Sequence, residues 1–208
     1  MKIMINKLLK EEEEFWENLK KEIISETDFL IKNHRDALAL KNILCAIDAL
    51  AGLFVGREKN NVERSWFSYI DRVMKETKKV NIKKMGLYFP NLSLCSFHRN
   101  ERVPQKNKKQ NIENCCMLLY PIYRNSVIHN GVLPTSFFIT RQETEGNVWL
   151  INNTNSDYKI GLNILELFSA LKDSIHRFEK SFNNDKERIK NFRKRYDFLK
   201  NNYILKKN

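Results

Sequence analysis

Residues 36–56, which read DALALKNILCAIDALAGLFVG, decide the class of fold. Their apolar side chains recur at helical spacing and cover more than one face, so the segment predicts a helix in the core of a helical domain. Asp48 interrupts this apolar surface. Because a buried carboxylate is costly unless it is paired, Asp48 either has a basic or hydroxyl-bearing partner elsewhere in the chain or faces water.

Helical periodicity continues on both sides of this core segment. Only six glycines and four prolines occur in 208 residues, which favours helices over a turn-rich β fold. Further helices are predicted over residues 6–32, 63–77, 112–128, 163–182 and 185–203. The acidic run Glu11–Glu14 is expected on the exposed face of the helix over residues 6–32. Pro121 is expected to kink or break the helix over residues 112–128.

A different pattern between residues 137 and 162 predicts a small sheet. Phe137–Thr140 and Val148–Ile151 are rich in strand-forming residues and flank a turn, so we expect them to pair as a hairpin. Tyr158–Leu162 is a candidate third strand, which would complete an antiparallel meander.

These elements predict a mainly α fold with a minor β part, organised as a helical domain over residues 1–182 and a basic helix over residues 183–208. The last helix could pack on the domain, on a second copy or on nucleic acid. No unbroken apolar run approaches the roughly 20 residues that span a bilayer, and the N-terminus lacks a signal-peptide pattern. We therefore expect a soluble cytoplasmic protein with no membrane partner, whose four cysteines are reduced and several of them buried.

The charge of the chain is strongly positive and unevenly distributed. The net charge is +12, with 11 basic against 2 acidic residues between positions 72 and 110, and 12 against 5 between positions 172 and 208. Such an excess favours a polyanionic partner, although a lysine-rich proteome would produce the same composition. If the partner is RNA, the residues expected to bind its phosphates are Lys78, Lys79, Lys83, Lys84, Arg99, Arg102, Lys106, Lys108 and Lys109.

Residues 124–129, which read RNSVIH, carry the side chains best suited to chemistry. An imidazole such as that of His129 can move a proton near neutral pH. A guanidinium such as that of Arg124 can bind a phosphate through a planar fork of donors. Together these two groups are the minimum needed to cut RNA without a metal. A structural interpretation also remains open, in which a histidine at a helix end follows a surface arginine.

A helical domain whose late core helix ends in arginine, a polar residue, three further residues and histidine resembles the HEPN superfamily. Arg124, Asn125 and His129 match this motif, and Ala46–Ala51 resembles an upstream core helix with an acidic residue, here Asp48, which we expect to support the site. Many HEPN proteins are metal-independent endoribonucleases of toxin–antitoxin, abortive-infection and CRISPR-linked systems. They typically dimerise so that two motifs line one cleft, while other members are inactive binding or scaffold modules.

The resemblance implies a metal-independent endoribonuclease that uses no cofactor, binds RNA as a homodimer and acts in toxin or antiviral defence, with an antitoxin or defence-system protein as a further partner. Gly131 stands where one HEPN subgroup has a tyrosine, so tyrosine-modification chemistry is not expected. The alternative is a non-catalytic HEPN-like module that binds RNA, a nucleotide or a protein. In a third interpretation, the basic last helix engages a membrane surface or an acidic partner.

The side chains of the motif suggest a division of roles. His129 would act as general base or acid on the ribose 2′-hydroxyl and the leaving 5′-oxygen, and Arg124 would stabilise the charge on the phosphate. Asn125 would position a phosphate oxygen or orient His129. On a regular α-helix Arg124 and His129 point about 140° apart, so their convergence needs a helix end or a dimer mate. Tyr123 could stack on a base or pack in the core.

Overall fold

A computed structural model describes most of the N- and C-terminal parts of the chain and a smaller fraction of its middle. The described residues are 8–57, 62–74, 137–142, 149–154 and 157–204, together with Tyr123, Arg124, Val127, Ile128, Gly131 and Leu133.

The chain divides into two compact units. We call residues 1–75 and 164–208 the helical unit and residues 76–163 the central unit. The mainly α prediction is confirmed, because helices account for most of the described residues and the strands form one small sheet. A HEPN-type arrangement of the helices stays a prediction.

Five helices and three strands lie in the described part of the chain. The elements are α1 (Lys10–Lys32), α2 (Asp36–Val55), α3 (Val62–Arg72), β1 (Phe137–Thr140), β2 (Trp149–Thr154), β3 (Asp157–Asn163), α4 (Ile164–Asn184) and α5 (Lys186–Leu199). A π-helical turn, Lys200–Ile204, follows α5. All five helices were expected near these positions, whereas the predicted helix over residues 112–128 lies mostly outside the described residues.

A left-handed turn joins α1 to α2. His34 has a φ of +54°, and its amide donates to the carbonyl of Ile31 at 3.0 Å while the amide of Arg35 donates to the carbonyl of Leu30 at 2.9 Å. These two bonds define a Schellman motif. The residue in the left-handed position is usually glycine, because a side chain there is crowded by the backbone.

Helix α2 is the core helix of the helical unit, as predicted. It contacts α1, α3, α4 and α5, and 11 of its 20 residues are buried, which explains why its apolar side chains cover more than one face. Its length and the apolar composition of an 18-residue stretch within it would also suit a membrane span. However, 61% of that stretch is buried, as in the core helix of a soluble protein.

Aromatic rings from all five helices meet in the core of the helical unit. Trp16 of α1 packs edge-on against Phe178 of α4 at 5.3 Å between centroids and against Phe192 of α5 at 6.1 Å. Phe54 of α2 and Tyr69 of α3 contact Phe178 at 5.7 and 6.2 Å. Such pairs contribute about 0.5–1.5 kcal/mol each beyond the area that they bury. The cluster therefore helps to position the five helices against one another.

Polar side chains of α5 bind the C-terminal end of α2. Arg188 donates to the carbonyl of Phe54 at 2.6 Å, and its guanidinium lies 3.8 Å from the centroid of the Phe54 ring. Asn191 donates to the same carbonyl at 3.3 Å, and Arg195 donates to the carbonyl of Arg57 at 2.9 Å. Carbonyls in the last turn of a helix lack intrahelical partners and carry partial negative charge, so the two donors to Phe54 stabilise the end of α2, while Arg195 binds the residue that follows the C-cap residue Gly56. Of the three alternatives for the last helix, the structure shows packing on its own chain.

The prediction that the acidic run of α1 faces solvent is wrong for Glu12, which is only 3% exposed. Its carboxylate accepts a hydrogen bond from the amide of Leu9 at 2.7 Å and forms an ion pair with Arg193 of α5 at 2.9 Å. Glu12 therefore satisfies an amide at the start of α1 and joins α1 to α5. The pattern of α1 could not reveal this, because Arg193 lies 181 residues further along the chain.

The predicted antiparallel meander is wrong in its pairing. The strand order is β1-β3-β2, with β1 parallel to β3 and β2 antiparallel to β3. Only Asn155 and Ser156 separate β2 from β3, whereas eight residues separate β1 from β2. The shorter connection favours a tight hairpin between β2 and β3, and β1 then occupies the other edge of β3.

Candidate functional site

The motif segment belongs to the central unit, and the structure describes part of it. The described residues of the segment share a π-helical backbone: Tyr123, Arg124, Val127 and Ile128. Asn125 and His129 lie outside the described residues. π-Helical turns are rare, occur mostly as single turns, and are frequent at functional sites.

Tyr123 anchors the motif segment to the sheet of the central unit. Its side chain is fully buried, and its ring packs edge-on against Phe137 at 5.8 Å between centroids. Its hydroxyl donates to the carbonyl of Phe138 at 3.4 Å. Burial raises the pKa of Tyr123, so the hydroxyl remains a neutral donor. Of the two positions considered for this side chain, the structure shows the core.

Arg124 lies at the boundary between the core of the central unit and solvent. The residue is half-buried, and its Nε atom is buried. Tyr123 and Val127, which are four residues apart, are both buried. Arg124 and Ile128, the residues that follow them, are both half-buried. Tyr123 and Val127 thus form the core side of the segment, with Arg124 and Ile128 beside it. Because arginine stays charged in proteins, the segment carries a permanent cation next to the core.

Asp48, which was expected to support the site, has its partner in the helical unit. Its Oδ1 lies 3.1 Å from Nη1 of Arg57, and its side chain is 26% exposed. Of the alternatives that the sequence left open for Asp48, the structure shows a basic partner. A role for Asp48 in the chemistry of the motif stays a prediction.

The basic residues predicted to bind phosphates all lie outside the described residues, so their role stays a prediction. They are Lys78, Lys79, Lys83, Lys84, Arg99, Arg102, Lys106, Lys108 and Lys109.

A buried carboxylate that the sequence did not indicate lies between α1 and α4. Glu179 is 4% exposed and accepts hydrogen bonds from Nζ of Lys20 and from Nε1 of Trp16, while Nδ1 of His176 lies 3.6 Å from its other oxygen. Burial alone would lower the pKa of Lys20, but hydrogen bonds to Glu17 and Glu179 outweigh it and raise that pKa. No local pattern could have shown this cluster, because Lys20 and Glu179 are 159 residues apart.

A groove of about 400 Å³ lies over the Glu179 cluster. Its described lining residues include three lysines and three carboxylates, so the groove has no excess of either charge. The groove therefore lacks the excess of positive charge that would attract a phosphate ligand.

Metal-ligand chemistry was also considered for the described residues. No group of three or more His, Cys, Asp or Glu side chains that could hold a metal ion occurs among them. Cys45 is exposed on α2, and the other three cysteines lie outside the described residues, so the expected burial of several cysteines stays a prediction. Metal independence also stays a prediction.

Comparisons of the chain with protein-family models, with curated proteins and with solved structures gave no match. The resemblance to the HEPN superfamily therefore depends on residues 124–129 and on the helical pattern of the chain.

Proposed function

We propose that the chain is a metal-independent endoribonuclease of the HEPN type, which acts as a cytoplasmic homodimer in toxin or antiviral defence. The observation that supports this most is the position of Arg124. It lies at the edge of the core on a π-helical segment, and Tyr123 anchors that segment to the sheet. A cation on an anchored segment, five residues before a histidine, suits a phosphate-cleaving site.

The π-helical backbone bears on how Arg124 and His129 act together. In an α-helix the backbone hydrogen bond joins residues four apart, and side chains five apart diverge. In a π-helix the bond joins residues five apart, so such side chains lie on the same side. Arg124 and His129 are five residues apart. If the π-helical backbone continues to His129, it directs both groups into one cleft, which the second copy of the motif completes.

The reaction is an internal transfer at phosphorus. One His129 takes the proton of the ribose 2′-hydroxyl, and the 2′-oxygen attacks the phosphorus while the bond to the 5′-oxygen breaks. The His129 of the second copy, in its protonated form, gives its proton to the leaving 5′-oxygen. Arg124 stabilises the negative charge on the phosphate during attack, and Asn125 positions a phosphate oxygen or orients His129. The products are a 2′,3′-cyclic phosphate and a 5′-hydroxyl.

The ends of the RNA products test this chemistry. The full chain should cut a labelled single-stranded RNA in the presence of EDTA and leave 2′,3′-cyclic phosphate ends. Products with 5′-phosphate ends, or cleavage that EDTA abolishes, would contradict the proposed reaction. A substrate with a 2′-deoxy sugar at the cut site should resist cleavage, because it lacks the attacking hydroxyl.

Mixing the wild type with His129→Ala tests the shared cleft. Because the reaction uses the His129 of both copies, a mixed dimer lacks either the base or the acid and is expected to be inactive. An equal mixture that has exchanged subunits should therefore cut RNA more slowly than its wild-type component does alone. A mixture of proteins shown to exchange subunits that keeps the full rate of its wild-type component contradicts a cleft built from both copies.

A non-catalytic module is the second candidate. The burial of the Nε atom of Arg124 favours it, because an arginine at a core boundary can serve to hold its own segment in place. In that case the protein binds RNA and leaves it intact, and Arg124→Ala lowers stability instead of activity. RNA binding without cleavage, combined with a lower unfolding midpoint for Arg124→Ala, would select this candidate.

A further inference from the structure

Helix α5 carries a basic concave surface on the helical unit. Lys186, Ile189, Lys190 and Arg193 are its described lining residues, and its volume is about 430 Å³. We call this surface the α5 hollow. Three of its four described lining residues are cations, and the fourth, Ile189, is an aliphatic side chain that is 7% exposed. The surface therefore favours an anionic ligand.

The spacing of the cations suits a chain of charges. Lys186 and Lys190 are four residues apart, hence on the same face of the helix and about 6 Å apart along its axis. Arg193 follows three residues later on that face. Both lysines are exposed. Successive cations along one helix face can contact successive negative charges of a polymer.

The neighbouring carboxylates do not neutralise the positive charge of the α5 hollow. Asp185 caps α5 by accepting hydrogen bonds from the amides of Glu187 at 2.9 Å and Arg188 at 3.2 Å, and it also pairs with the Arg188 side chain. Glu187 is exposed but is not one of the described lining residues. Arg193 pairs with Glu12 while remaining 40% exposed. The two lysines thus dominate the charge of the surface.

The opposite face of α5 argues against a membrane as the anionic partner. A helix that lies in a membrane interface inserts an apolar face between the lipids. The apolar side chains of α5 are instead buried in the helical unit, with Phe192 fully buried and Tyr196 only 6% exposed. The helix therefore offers charge without an apolar face to insert.

We propose that the α5 hollow binds the phosphodiester backbone of single-stranded RNA. This inference rests on the proposed function only in taking RNA as the polyanion, and it adds a binding surface outside the motif. Lysine contacts to phosphates are independent of base sequence and release counterions, so each contact contributes about 0.7 to the slope of log K against log salt for a single strand.

Binding of a fluorescent single-stranded RNA to the full chain tests the hollow. The His129→Ala background prevents cleavage during the titration. The double variant Lys186→Gln, Lys190→Gln loses two phosphate contacts, so the slope of log K against log salt should fall by about 1.4. Relative to about 1 M salt, where counterion release contributes nothing, this change weakens binding about 25-fold at about 0.1 M salt. The matched control is Lys21→Gln with Lys41→Gln, two exposed lysines of α1 and α2 whose loss changes the net charge equally. It should bind RNA almost as the background does.

Three results would overturn the proposal. The first is unchanged binding in the α5 double variant, and the second is an equal loss in the α1–α2 control, which would show a general effect of net charge. The third is lysine-dependent binding to vesicles of phosphatidylserine and phosphatidylcholine with RNA binding unaffected. Cleavage by the wild-type chain tests the nuclease separately. An RNA-binding defect in the α5 variant therefore supports the hollow even if the wild type cuts no RNA.

Discussion

Gly56 is the C-cap residue of α2 and lies next to Asn191 of α5. Gly56→Ala is predicted to destabilise the helical unit. Gly56 has a φ of +68°, where a side chain costs about 1–2 kcal/mol. An added Cβ would also lie 3.0 Å from both Cα and O of Asn191. These are backbone atoms of α5 that cannot move aside alone, and overpacking of this kind costs about 1–3 kcal/mol. The two effects together predict a loss of about 2–5 kcal/mol.

Gly52→Ala, one turn earlier in α2, is the matched control. Its Cβ would meet Nε of Arg195 at 3.3 Å and Nη2 of Arg57 at 3.4 Å, which are the ends of flexible side chains. Alanine is favoured over glycine inside a helix by about 1 kcal/mol, so the free energy of unfolding should be unchanged or slightly raised. Urea unfolding followed by circular dichroism measures both variants. Equal stabilities for the two, or a loss below about 0.5 kcal/mol for Gly56→Ala, would refute the reasoning.

Three further substitutions test other contacts of the helical unit. His34→Gly should raise the free energy of unfolding by up to about 1 kcal/mol, because it relieves a left-handed backbone; a lower melting temperature would contradict this. Glu12→Gln should lower the free energy of unfolding, measured by urea denaturation, by about 1–3 kcal/mol, because it breaks the ion pair with Arg193. An unchanged urea midpoint would contradict this. Tyr69→Phe loses the hydrogen bond to Ser174, a cost of about 1 kcal/mol at neutral pH. Burial raises the pKa of Tyr69 in the folded chain. The contribution of the neutral hydroxyl to the free energy of unfolding is therefore complete below the unfolded pKa of about 10, and it falls by about 1.4 kcal/mol per pH unit above that pKa. Unfolding at successive alkaline pH values should therefore show a shallower loss for Tyr69→Phe than for wild type, and parallel curves would exclude Tyr69 as a cause.

Local periodicity was sufficient to predict the helices of the helical unit. The apolar surface of residues 36–56 follows from burial on several sides, and the structure places four helices around α2. The aromatic residues Trp16, Phe54 and Phe178 were all expected at helical positions, but their meeting in one cluster depends on how the helices pack. For Asp48 the sequence left a partner and exposure to water as alternatives, and the structure shows a partner, Arg57.

Contacts between distant parts of the sequence could not be predicted in this way. Periodicity within α1 cannot distinguish Glu12 from its acidic neighbours, because the difference arises from Arg193 on α5. The pairing of β1 with β3 is also non-local, since alternation identifies a strand without naming its neighbour. At the candidate site, the sequence indicated Arg124 and Tyr123, whereas the π-helical backbone of Tyr123, Arg124, Val127 and Ile128 is visible only in the structure.

The rate of RNA cleavage by His129→Ala, measured with EDTA present and with enzyme in excess over RNA, tests the central claim most directly. His176→Gln is the matched control, because His176 is an exposed histidine of α4 outside the motif. A general acid or base contributes about 10²–10⁴-fold to a rate. The account predicts a loss of at least about 10²-fold for His129→Ala and a rate near that of wild type for His176→Gln. Equal rates for wild type and a folded His129→Ala protein would contradict it.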